Sequence, residues 1–310
     1  MGSSQQPKLS GDQLYSTPLP GGGIIVPVNY FFLSLNYALM IVLPLIVAIV
    51  IRRRTGASWR FFFIGAVTFI VSQLFHIPFN MAVQNSGILP DDMSTWTNLL
   101  IMALFLGLSA GVFEETARYL TYRFWAKDAR SWSSGMMLGA GHGGIEAIIL
   151  GLLATFGFVS LMVANNEAIL ATIPEEQQAI IAASLAEIVN TPWYGLLLGA
   201  TERLFAIAAH LALSVMVLQV FLRGSIRWLF AAIAYHTVLN MIAVIGITRL
   251  GPYWTEGLLA VYSLLSLAII FRLRAPDPVV AEPEPLPETP AADDLNLEPT
   301  DEALDRSKYT

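Results

Sequence analysis

Of 310 residues, 55% are hydrophobic and 13% are charged, whereas soluble globular chains carry about 25% charged residues. The apolar residues come in blocks of bilayer-spanning length, about 20 residues each, which excludes an ordinary soluble domain with interleaved polar positions. Cysteine is absent, which excludes disulfides, thiolate metal sites and a cysteine nucleophile. The net charge of −6 comes from the chain's end, where residues 275–310 hold ten acids and two bases; no basic cluster suggests nucleic acid.

Residues 1–28 are polar and rich in Gly and Pro and read as a short leader, with neither a signal-peptide pattern nor a myristoylation motif. The first span is expected at 29–51, stopped by Arg52, Arg53 and Arg54, and the second at 60–83. The third covers 96–123 and is interrupted by charge near Glu114; the fourth covers 134–163. Residues 164–192 are polar and acidic, and Glu175–Val189 suits a short amphipathic surface helix. Spans five, six and seven are expected at 193–222, 226–248 and 253–271. The tail from 273 is made of Pro, Glu, Asp and Ala, a composition that cannot bury a core and is expected to be disordered. The reading is therefore an all-α bundle of about seven transmembrane helices, with a leader (1–28), a membrane domain (29–272) and an acidic tail (273–310).

Basic residues fall on one side. Arg52 to Arg54, Arg60, Arg123, Lys127, Arg130, Arg223, Arg227, Arg272 and Arg274 flank alternate loops, and the opposite loops hold only Lys8 and Arg249. This predicts an N-terminus outside and a C-terminus in the cytoplasm; the expected location is a prokaryotic plasma membrane.

Ionisable groups at bilayer depth cost about 2.5–3.5 kcal/mol each on insertion scales, so their presence needs a reason. The four histidines, His76, His142, His210 and His236, all lie in apolar spans, as do Glu114, Glu115, Glu146, Glu202 and Arg203. Counting helical rise from the basic ends places Glu114, His142 and His236 roughly 13–15 Å deep and His210 roughly 19 Å deep. Glu146 lies one turn past His142 and Asn240 one turn past His236, on the same faces. Arg118 reads as a structural partner for one Glu of the pair. His76 sits near the outer face and reads as structural, and Glu202-Arg203 as a structural ion pair. Gly135, Gly139 and Gly143, with Ala140 and Gly144 alongside, form the small-xxx-small pattern of close helix packing.

Glu114-Glu115-Thr116-Ala117-Arg118, Gly141-His142-Gly143-Gly144-Ile145-Glu146, Glu202-Arg203 with His210, and His236 with Asn240 resemble the motifs of YhfC-type membrane peptidases. These are relatives of the CAAX-protease/bacteriocin-processing and PrsW proteases. The resemblance covers residues 30–270. The arginine stands one residue closer to the Glu pair than in the wider CAAX pattern, and Leu138 replaces a Phe, so prenylated substrates are not implied. By resemblance, Glu114 is a general base helped by His142; His210 or His236, with Asn240, stabilises the oxyanion; Glu115 supports Glu114 or binds Arg118.

The expected activity is an endopeptidase cutting a membrane-associated peptide or protein from the inner side. Its partners are that substrate and the lipid bilayer, with no nucleic acid. A zinc site built from Glu114, His142 and His236 is chemically open, although the reading leans to metal-independent chemistry. Two other classes use the same cluster: a proton- or cation-coupled transporter, and a non-catalytic membrane scaffold.

Overall fold

The computed structural model describes residues 25–275, with side chains from Val28, together with Asp301 and Asp305. The leader up to residue 24 and almost all of the acidic tail lie outside the described residues, and the expected disorder of the tail lies there with them. Asp301 and Asp305 are exposed and belong to a separate unit, Asp277–Thr310.

The elements in chain order are α1 (Ile25–Thr55), α2 (Trp59–Asn85), α3 (Trp96–Leu120), α4 (Trp132–Ala164), α5 (Glu167–Leu170), α6 (Glu175–Asn190), α7 (Leu198–Leu222), α8 (Arg227–Arg249) and α9 (Pro252–Arg272). Seven of these, all but α5 and α6, are long and apolar enough to cross a membrane. The expected spans match them to within a few residues, and α1 starts four residues earlier than expected. No strand occurs among the described residues.

Local signals set the helix ends. Ser58 and Thr95 cap α2 and α3 by accepting backbone N–H groups, and Ser131 with Ser134 forms a capping box on α4. The tight turn from α8 to α9 needs Gly251 at φ +80°, followed by Pro252 at the first helical position. Charge does not interrupt the third span: α3 runs unbroken through Glu114 and Glu115, because Arg118 answers the charge from the next turn. Its last turn widens into a π-helical segment, Thr121–Trp125.

α4 and α7 form the centre of the bundle. Residues 132–144 of α4 and 209–219 of α7 are buried without a break. α1 and α2 pack on α4, α8 packs on α3, and α9 packs on α7. Glycine permits these approaches. A Cβ on Gly141 would stand 1.9 Å from the Phe62 carbonyl oxygen, and one on Gly65 2.0 Å from that of Leu138, so α2 and α4 touch backbone to backbone. The Gly135, Gly139 and Gly143 stripe faces α7, where a Cβ on Gly143 would meet the His210 ring at 2.8 Å. α6 buries no residue, as its amphipathic, acidic sequence suggests. Its C-terminal carbonyls are held by the Asn29 amide, which donates to Ile188 and Val189 at 2.9 and 2.8 Å.

Candidate functional site

Four helices bring polar and ionisable side chains together in the middle of the bundle. α3 supplies Glu114, Glu115 and Arg118, α4 supplies His142 and Glu146, α7 supplies Arg203 and His210, and α8 supplies His236 and Asn240. Glu115, Arg118 and His142 are fully buried, and Glu114, His210 and His236 expose 6% or less. Burial on this scale requires each charge to be answered by a partner.

Glu114 is the hub. Its Oε2 lies 3.1 Å from His142 Nε2 and 4.0 Å from His236 Nε2. Its Oε1 accepts a hydrogen bond from Gln73 Nε2 on α2 at 3.0 Å. Glu115 turns the other way: it pairs with Arg118 and accepts from His236 Nδ1 at 2.8 Å. The three rings cluster, with centroids 5.1 Å apart for His142 and His210 and 5.5 Å apart for His210 and His236.

The partners fix the tautomers. Arg118 Nη2 can only donate, so His210 Nδ1 accepts from it at 3.3 Å, and His210 Nε2 donates to Glu146 at 2.7 Å. His236 donates through Nδ1 to Glu115, and its Nε2 faces Glu114 at 4.0 Å. His142 Nδ1 is buried with no partner. A cavity of about 90 Å³ lies against Glu114, Glu146, Arg203, His210, His236 and Asn240, and among the described residues no hydrogen bond commits the Asn240 amide.

Every residue expected at the site is thus brought together. Two groups read as structural are wired into it. Arg203 bridges Glu202 and Glu146, with 2.7 Å to Glu146 Oε1, and so connects to His210. His76 reaches Glu114 through one intermediary: its Nδ1 lies 3.2 Å from Gln73 Oε1, while Asn80 Nδ2 and Ser109 Oγ approach its Nε2 at 3.0 and 3.1 Å. Gln73 was missed because a neutral amide draws no notice beside charged groups. The available signal was the 73, 76, 80 spacing, which sets Gln, His and Asn on one face of an apolar helix.

A donor set for a cation is present. One ligand atom each from Glu114, His142 and His210 lie within 4.8 Å of one another. This set has His210 where the sequence reading put His236. The hydrogen bonds bear on the choice: both His210 nitrogens are engaged, whereas His236 Nε2 makes no hydrogen bond among the described residues and its Nδ1 is backed by a carboxylate, the usual arrangement behind a metal-ligating histidine.

The fold and this buried constellation define a polytopic membrane protein with an intramembrane Glu/His centre. A sequence profile described as "YhfC intramembrane metalloprotease" matches residues 39–262, and the chain belongs to that family. It is 32% identical over 218 residues to the "Uncharacterized membrane protein YhfC" of Bacillus subtilis (strain 168), covering 69% of this chain and 83% of that relative. No solved structure matches.

Proposed function

We propose that the protein is an intramembrane endopeptidase that hydrolyses a peptide bond of a membrane-associated substrate at the Glu114 centre. The observation that carries this reading is the meeting of Glu114 Oε2 with His142 Nε2 at 3.1 Å and His236 Nε2 at 4.0 Å, from three separate helices, beside a cavity. The family's description as an intramembrane metalloprotease supports it.

Peptide hydrolysis needs a base for water, donors for the oxyanion and a proton for the leaving amine. Glu114 takes the proton of the attacking water and, as the C–N bond breaks, delivers it to the leaving amine. Gln73 holds Oε1, so Oε2 is presented to the cavity and to His142. The Asn240 amide, uncommitted at the cavity wall, donates to the developing oxyanion. Glu115 keeps the proton of His236 on Nδ1 and neutralises Arg118, and Glu146 keeps the proton of His210 on Nε2 and pairs with Arg203. Glu114, His142 and His210, with ligand atoms within 4.8 Å of one another, and His236, 4.0 Å from Glu114 and backed by a carboxylate, are the residues that would hold a divalent cation, with Glu114 then serving as ligand rather than as base. This donor set shifts the choice from metal-independent chemistry toward a metalloenzyme. Such a cation, when bound, acidifies water and polarises the scissile carbonyl.

The test is comparison of membrane peptides in cells carrying wild-type protein, Glu114→Gln or His142→Ala at equal abundance. A cleaved peptide present with wild type and missing with both variants is expected; unchanged cleavage by either variant overturns the assignment.

A further inference from the structure

The two halves of the bundle differ on either side of the buried centre. Toward the arginine-bearing ends of the helices the core around α4 and α7 is solid, and the cavity of about 480 Å³ on that side, between α2 and α3 against Val71, Phe75, Val112, Leu120 and Phe124, is lined mostly by apolar side chains. Tyr122, Met137, Leu138, Leu213, Val217 and Ala232 are each 0% exposed and belong to one continuous apolar cluster. They lie between the Glu/His centre and the helix ends carrying Arg130, Arg223 and Arg227. Side chains packed at interior density leave no route for water.

Toward the other end the interior opens. A cavity of about 350 Å³ lies where α7 begins, α8 ends and α9 begins, against Leu198, Ile247, Thr255 and Glu256. It shares Glu202, Ala243 and Leu259 with the cavity at the catalytic cluster. Polar groups mark the whole route. Glu202 binds Arg203, Arg203 binds Glu146, and Glu146 binds His210. This charged chain descends α7 for eight residues from Glu202 to His210, roughly 12 Å. The carboxylates make hydration, rather than lipid, the favourable filling of such a space. On α2, His76 and Asn80 also lie on this side of Glu114 and carry its hydrogen-bond network the same way.

We propose that the centre is reached by water, and by polar ligands and cations travelling with it, through this α7–α8–α9 vestibule, and that the apolar plug closes it from the arginine-bearing side. Ala243 marks the junction between vestibule and centre. The proposal concerns access and stands whichever reaction occurs there. With the basic ends cytoplasmic, as the arginine distribution predicts, the route leads from the outer face.

The native chain lacks cysteine, so single cysteines report alone. Full-length Ala243→Cys, Ile247→Cys and Val217→Cys are reconstituted in vesicles and treated from one face at a time with a membrane-impermeant cationic methanethiosulfonate. Asp91→Cys, in the loop between α2 and α3, and Lys127→Cys, in the loop between α3 and α4, identify the two faces. Ala243→Cys and Ile247→Cys are expected to react from the Asp91 face, about tenfold or more faster than the plugged Val217→Cys. Leu259→Cys on the facing helix repeats the measurement should Ala243→Cys fail to fold. Reaction of the junction cysteine from the Lys127 face overturns the proposal. So does a junction cysteine as slow as Val217→Cys while Ile247→Cys reacts, because the vestibule then stops short of the centre.

Discussion

Glu115 on α3 and His236 on α8 are joined by a 2.8 Å hydrogen bond from ring Nδ1 to carboxylate, and the same carboxylate neutralises the fully buried Arg118. One acid therefore settles a guanidinium charge and the orientation of an imidazole. Removing one partner of a buried pair leaves an uncompensated charge, at a cost of about 3–5 kcal/mol. Glu115→Gln should accordingly lower the thermal midpoint in detergent strongly. Arg118→Met with Glu115→Gln removes both charges and should recover much of that loss. A double variant no more stable than Glu115→Gln alone would contradict this account.

Gln73 and His76 act in series on Glu114. The His76 ring also stacks on Phe113, with centroids 5.5 Å apart, so His76→Phe keeps an aromatic ring while deleting the bond to Gln73. On the hydrolase reading, Gln73→Leu should reduce kcat by about 10–100-fold, the usual range for a supporting partner of a catalytic or ligating group, with KM little changed. His76→Phe should reduce kcat less, and should add nothing in the Gln73→Leu background. Additive losses would show that His76 acts on packing instead.

Backbone contact between α2 and α4 gives a prediction with its own control. A Cβ on Gly141 would stand 1.9 Å from a backbone oxygen of Phe62, which no side-chain adjustment relieves. Gly141→Ala should destabilise by about 1–3 kcal/mol or more. Gly157 lies on the same helix with nothing within 4 Å of its would-be Cβ, and Gly157→Ala should stabilise by about 0.5–1 kcal/mol. Unfolding midpoints in detergent of both variants check the pair.

Spans were legible because each has the length and apolarity the bilayer demands, and Glu114, His142 and His236 because an ionisable group in lipid needs a reason. How each helix is rotated was not legible. Helices that are apolar nearly all round carry little directional signal. The sequence therefore could not show that Glu114 faces Gln73 or that Arg203 joins Glu146. Nor could it choose between His210 and His236 beside Glu114. That choice depends on which ring nitrogen each partner engages, and so on contacts between helices distant in sequence. Glu175–Asn190 was readable for the opposite reason: its polar and apolar residues segregate, and it buries none of them.

The tautomers bear on metal binding. His236 offers Nε2 while Glu115 holds Nδ1, His142 offers Nε2 at 3.1 Å from Glu114, and His76 lies outside the donor set. Zinc or cobalt added to metal-free protein should raise the thermal midpoint by mass action, about 2.7 kcal/mol at a hundredfold excess over Kd. His142→Ala and His236→Ala should lose that response, and His76→Phe should keep it. Glu115→Gln should weaken binding by about 10–100-fold, since its amide oxygen accepts the His236 proton less strongly than a carboxylate does. Competition with a chelator of known affinity measures each case. Equal metal affinity in wild type and His236→Ala would assign the third ligand to His210, at the expense of its bond from Arg118 or its bond to Glu146.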